Sequence, residues 1–400
     1  MMATVNPSLD TTPPSAQPAT SLLVLLASMS PEQLESILSN LGTLAAALPA
    51  DGLLLATPSD IPADRIPALR MISAPAMKAS WILTAPDFVN VYQLAEKNHA
   101  QAILMLGPES ASLSAEALQQ LAGGVLSSSA DLAVPCYSLP PRAGLVNSAI
   151  LYPLTRALFA CRARFPLAID LGLSLRMAER LAAAGQRFTA LNQNEALLWP
   201  THEAAVAGFA IGEFDVGPRA LPQPSESDFN SILSLVTGSL FADIDVKAAF
   251  WQRARPLPPA RNAIPVAPST DAPADITPMV EGFRLAYTNL REIWSLVLPP
   301  NSLLGLKRLS VLELAAFRMP DNLWARIVFD FLLAYRLRTI NRGHLLGALI
   351  PLYLAWVASH INIIASGTDP ERHIEAVAAA FEADKPYLVS RWRWPDRFNP

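Results

Sequence analysis

One acid stands alone in an apolar run. Residues 164–174 read RFPLAIDLGLS, and Asp170 is the only carboxylate among them. An unpaired carboxylate in apolar surroundings either costs free energy or takes up a proton. Asp170 therefore calls for a partner, a chemical task, or a role as cap of a helix beginning near Leu171. Common catalytic patterns do not surround it. GLSLR at 172–176 lacks the second glycine of a hydrolase elbow. HEAAV at 202–206 lacks the second histidine of a zinc-protease helix. No GxGxxG follows the first strand and no Walker A loop occurs, which argues against a Rossmann dehydrogenase or P-loop enzyme. His99, His202, His344, His360 and His373 never fall at ligand spacing and read as ordinary core or surface residues.

The elements that must position Asp170 follow from patterning. SLLVLLA, DGLLLAT, LRMISA, QAILML and ADLAVPCYSL read as strands. Helices separate most of them, and SMSPEQLESILSNLG carries a capping box of Ser30 and Gln33 with Pro31 at the first helical position. Alternating strands and helices predict an α/β fold, a mostly parallel sheet with helices on both faces. Ligands bind such sheets beyond the carboxyl ends of the strands, here TPSD, GPES and VPCY.

The organisation then changes. Residues 1–20 read as a disordered tail, 21–225 as the sheet domain and 226–400 as a helical region with a Pro-rich connection at 256–277. DFNSILSLVTGSLFADIDVKAAFWQRA reads as one long helix, and Thr277-Pro278 opens another. LLGALIPLYLAWVASHINIIASG, 345–367, is long enough to span a bilayer, but its polar residues favour a buried or membrane-surface helix. Arg391-Trp392-Arg393-Trp394 reads as a tail whose tryptophans pack on the body. Arg326, Arg336, Arg338 and Arg342 read as a solvated helix face, with a phosphate site as the alternative.

Composition narrows the partners. The chain is 52% hydrophobic and 16% charged, which suits a well-filled core. A net charge of −4 predicts no general affinity for nucleic acid. Cys136 and Cys161 offer neither a disulfide framework nor zinc spacing. With no secretory signal pattern at the start, a cytoplasmic protein is expected, with peripheral contact at the inner membrane face and self-association left open.

Several segments in order resemble GT-A-fold nucleotide-sugar glycosyltransferases of the mannosylglycerate synthase and glucosyl-3-phosphoglycerate synthase type. They are VPCY (134–137), GLVNSAILYPLTRALFACRARFPLAIDLGLS (144–174), AAVAGFAIGEFDVGPR (204–219) and the helical stretch 323–359. The resemblance implies a GT-A (Rossmann-like) fold and a nucleotide diphosphate sugar as donor. It implies transfer of a hexose to a small or lipid-linked acceptor. It places Asp170 on the active-site floor, where the family has two glycines and this chain has Ala168 and Ile169. Those added Cβ atoms are expected to narrow the pocket.

The same resemblance assigns the remaining candidates. The family's metal-holding DxD motif falls on Gly107, Pro108 and Glu109, so Glu109 alone keeps an acid there. The family's later metal-ligating histidine falls on Leu221. One oxygen ligand holds Mg²⁺ or Mn²⁺ poorly, so a divalent metal is doubtful. Arg219 or Lys78 is the candidate substitute for the cation, and Ser59, Asp60 and Asp64 are candidate nucleotide contacts. Glu213 and Asp215 are reserve catalytic acids. A catalytically inactive binding or scaffold protein on the same fold is the alternative.

Overall fold

The computed structural model describes residues 20–50, 52–58, 69–77, 82–193, 195–221, 229–256, 264, 266–267 and 274–395. Ser59, Asp60, Asp64, Lys78 and the tail 1–19 lie outside them, as does most of the Pro-rich connection.

Short apolar runs form the strands, as their lengths require. β1 (Leu22–Leu26) leads to α1 (Pro31–Ala46), β2 (Leu53–Thr57) and β3 (Arg70–Ser73). α2 (Ala85–Lys97), β4 (Ala102–Leu106), α3 (Ala115–Leu126) and β5 (Leu132–Ser138) follow. Then come α4 (Tyr152–Phe159), β6 (Leu171–Ser174), α5 (Leu175–Ala190), α6 (Pro200–Ala207) and β7 (Ile211–Pro218). The strands form one sheet in the order β3-β2-β1-β4-β6-β5-β7. β6 runs antiparallel to β4 and β5, and the other pairs are parallel. β1, β2, β4 and β5 are buried along their whole length, as central strands covered on both faces must be. The α1–α3 pair covers one face and the α2–α5 pair the other.

The expected α/β class is the one observed: a mostly parallel sheet with helices on both faces, followed by a helical region. Ser30 and Gln33 make the expected capping box on α1. The reading of Asp170 as a helix cap is corrected. Leu171 begins strand β6, and the cap of α5 is Ser174, whose hydroxyl accepts from the Met177 N–H at 3.3 Å. Only glycine fits at 172, because an added Cβ would lie 2.9 Å from both Ala133 Cβ and the Leu121 carbonyl.

The second region contains α7 (Phe229–Val246), α8 (Ala248–Trp251), α9 (Thr277–Asn289), α10 (Arg291–Ser295) and α11 (Pro300–Ser310). α12 (Asp321–Leu337), α13 (Arg342–Ala365) and α14 (Pro370–Arg393) complete it. The single long helix expected after 225 is two, broken at Lys247, whose amine pairs with Asp243 and Glu203. α13 is long and apolar enough to cross a membrane, yet 61% of its most apolar window is buried inside the protein.

The arginine stripe is not merely solvated. Arg326 pairs with Asp384 at 3.1 Å, and Arg336 lies over the Trp392 ring and donates to its carbonyl. Apolar stems and aromatic faces hold these cations, which a helical wheel cannot reveal. Trp392 packs edge-on against Trp251, whereas Trp394 is exposed.

An ionic clasp joins the two regions. Arg156 of α4 reaches α14, meeting Glu382 through Nε and Nη2 at 3.0 Å each and Glu375 through Nη1 at 2.5 Å. Arg164 meets Glu371 through Nε and Nη2, also at 3.0 Å each. The three glutamates lie along α14.

Candidate functional site

Asp170 sits immediately before β6, where the antiparallel strand brings it to the carboxyl end of β4. It is wholly buried. Its Oδ1 accepts from the Gly107 N–H at 2.9 Å. Its Oδ2 accepts from the Tyr137 hydroxyl at 2.8 Å and Arg219 Nε at 2.6 Å. The partner demanded by a lone acid therefore comes from three different segments: the β4 tip, the end of β5 and the residue after β7.

Arg219 is buried too, its guanidinium lying 5.6 Å from the Tyr137 ring centre. Nη1 donates to the Ala220 carbonyl at 3.0 Å and lies 3.9 Å from Glu109 Oε2. Nη2 and Glu109 Oε2 are buried without hydrogen-bond partners among the described residues. Such groups normally find partners, so each has capacity for a ligand. Burial works against the Arg219 charge, but Asp170 and Tyr137 outweigh it and hold its pKa above the ordinary value. Burial, reinforced by the Asp170 charge, pushes the Tyr137 phenol well above its usual range, so Tyr137 is a hydrogen-bond donor and not a base. Burial also raises the Glu109 pKa.

Asp170, Glu109 and Arg219 thus come together. Glu213 and Asp215 do not join them. Both lie on the exposed side of β7: Glu213 accepts from the Arg164 N–H at 2.6 Å, and Asp215 from the Gly217 N–H at 3.0 Å. Glu213 borders a separate hollow with Cys161 and Phe209. Tyr137 carried no assignment in the sequence. Its signal was the VPCY strand end, whose final side chain reaches Asp170.

Two features shape the space around the cluster. Ile169 lies across Gly107; a Cβ on that glycine would be 2.7 Å from Ile169 Cγ2. Beside it opens a cavity of about 410 Å³, bounded by Tyr137, Arg219, Ile169, a π-helical turn (Asn147–Leu151) and the start of α7.

A divalent cation does not suit these groups. Among the described residues, no three His, Cys, Asp or Glu side chains gather at ligating positions. Glu109 has a guanidinium 3.9 Å away, and that fixed positive charge opposes a second one.

No protein-family model matches the chain, and no curated protein matches it. Among solved structures, it is similar to glucosyl-3-phosphoglycerate synthase from Mycobacterium tuberculosis with Mn²⁺ and UDP-glucose. That likeness has 15% identity and a TM-score of 0.35, covering 56% of this chain and 79% of that one. The same enzyme with phosphoglyceric acid gives 14%, 0.35, 56% and 80%. With Mg²⁺ and UDP it gives 13%, 0.36, 56% and 79%. By its own sheet, this chain is an α/β protein with one seven-stranded, mostly parallel sheet in which β6 alone runs against its neighbours.

Proposed function

We propose that the chain is a glycosyltransferase-type protein that binds a nucleotide diphosphate sugar at the carboxyl ends of its strands without a metal ion. The reaction in this reading transfers the hexose to a small or lipid-linked acceptor. One observation supports it above the rest: Arg219 stands between Asp170 and Glu109, 2.6 Å from the first and 3.9 Å from the second. A leaving diphosphate needs its charge balanced, and a guanidinium preorganised by other groups supplies that balance. Asp170 and Tyr137 are then positioning residues that hold Arg219. Glu109, its pKa raised by burial, donates a hydrogen bond to phosphate when protonated. On sequence grounds Ser59, Asp60 and Lys78 are the nucleotide contacts. Glu213 and Asp215 have no part in this reading.

A second reading, binding without turnover, is favoured by a different observation. Both Asp170 oxygens are held by the chain itself, and Ile169 covers Gly107.

Thermal melting with UDP, GDP, UDP-glucose and GDP-mannose, each with and without Mn²⁺, tests both. A ligand at 100 times its dissociation constant adds about 2.7 kcal/mol. The expected result is stabilisation by one nucleotide, equal with and without Mn²⁺ and lost in Arg219→Met. Sugar release from that donor separates transfer from binding alone. Stabilisation by none of the four overturns both readings.

A further inference from the structure

The cavity beside the Asp170 cluster has the wrong chemistry for a polar acceptor. Its volume, about 410 Å³, falls within the range of small-molecule sites, about 300–1,000 Å³. Its walls are mainly aliphatic and aromatic, with Leu145, Leu167, Ile232 and Val236 among them. Polar groups are few: Tyr137 and Arg219 are buried at the Asp170 end, and Tyr353 is buried beside Phe229. The Arg219 side chain is 1% exposed, and its Nη2 has no hydrogen-bond partner among the described residues. An unmet buried donor beside an apolar hollow favours a ligand with one oxygen head and a hydrocarbon body.

Part of the cavity wall reaches the surface. Phe229, at the start of α7, both lines the cavity and is 36% exposed, and Leu235 on the same helix is 42% exposed. A chain longer than the cavity therefore meets an exposed aromatic side chain at the start of α7.

We infer that this cavity binds an aliphatic or prenyl chain ending in a single oxygen head group, with the head at Arg219 and the chain against α7. This deepens the proposed function and rests on it for the name acceptor, since the cavity is then the acceptor side of the same site. Binding of the chain itself needs neither donor nor turnover.

The experiment is calorimetric titration of the full chain with decanol and with decanoate, alongside UDP-glucose. Ile232 and Leu145 are half-buried lining residues from separate segments of the chain, so an indole at either position displaces ligand while disturbing the core little. The expected result is saturable one-to-one binding of decanol or decanoate, at least about tenfold weaker in Ile232→Trp and in Leu145→Trp. Whichever compound binds assigns a hydroxyl or a carboxylate head. Absence of saturable binding by both, or binding that both variants leave unchanged, overturns the inference. Photolabelling of the unaltered protein with a diazirine analogue of the bound compound guards against misfolded variants. Label on α7 or residues 142–147 supports the site, and label elsewhere overturns it. UDP-glucose affinity in the same samples reads the donor site separately, so either proposal can fail alone.

Discussion

Arg219 Nε and Asp170 Oδ2 meet at 2.6 Å with both side chains almost fully shielded from water. They come from opposite flanks of β5, 49 residues apart in the chain. Removing one member of such a pair leaves the other charge buried. Arg219→Met is expected to cost about 3–5 kcal/mol in urea unfolding, because Asp170 keeps only its Gly107 and Tyr137 partners. The double variant Arg219→Met, Asp170→Leu should recover much of that loss. A double variant as unstable as the single one would deny that the uncompensated charge is the cause.

Ile169 should control access to the β4 tip. Ile169→Gly removes the side chain lying over Gly107 and is expected to tighten nucleotide binding while lowering stability by about 2–5 kcal/mol. Gly107→Ala forces a Cβ against the same isoleucine and should cost about 1–3 kcal/mol. The cost of Gly107→Ala should shrink in the Ile169→Gly background, which a double-mutant cycle measures.

The ionic clasp makes Arg156 a stability determinant. Its side chain is 10% exposed, and Glu382 beside it is 14% exposed. Arg156→Ala is expected to destabilise by about 3 kcal/mol, and Arg156→Lys should rescue it only in part, since a lysine cannot make the paired contact. Equal stability of the lysine and wild-type forms would show the two-pronged geometry to be unimportant.

Acid sensitivity should trace to His360. Burial, helped by neighbouring His373, lowers its pKa from 6.5 to about 4. Between those values the unfolded chain binds the proton and the folded one does not, so stability falls as pH drops from about 6.5 to about 4. Buried His202, with its pKa lowered by desolvation, adds in the same direction. Asp330 acts oppositely: burial raises its pKa from 3.8 to about 7, so its contribution is lost as pH rises through about 7. The clean readout is therefore the difference between wild type and His360→Leu, which should change by about 3 kcal/mol between pH 7 and pH 4. A difference constant across that interval would rule His360 out.

Nucleotide affinity should depend on pH through Glu109. Its raised pKa means that acidification neutralises it, removing repulsion of phosphate and creating a donor. Binding is expected to weaken as pH rises through that pKa, and Glu109→Gln should bind well with no such dependence. Weaker binding by the glutamine variant at low pH would assign the carboxyl another task.

Local patterning carried most of the sheet. β1 and β4 were legible because each is a short, wholly apolar run, β2 because only its last residue is polar, and Ser30 with Gln33 announced α1. Asp170 was legible as a residue needing company. Its nearest charge partner was not, because pairing across 49 residues depends on the antiparallel insertion of β6. One alternative left open from the sequence makes that strand the start of a helix, since LGLS is too short for periodicity to decide. His360 and His373 were read as unconnected for a related reason. They lie on neighbouring helices and stack with ring centres 5.0 Å apart, a contact set by helix packing and not by spacing.

The three glutamates of α14 reach across to Arg156, on α4, and Arg164, in the segment leading to Asp170. Shortening the protein from its C-terminal side would therefore strip counter-ions from the very loop that frames the candidate site. The last long helix is less an appendage than a splint, and loss of ligand binding on truncation would be expected even though, among the described residues, none beyond Tyr353 borders the cavity.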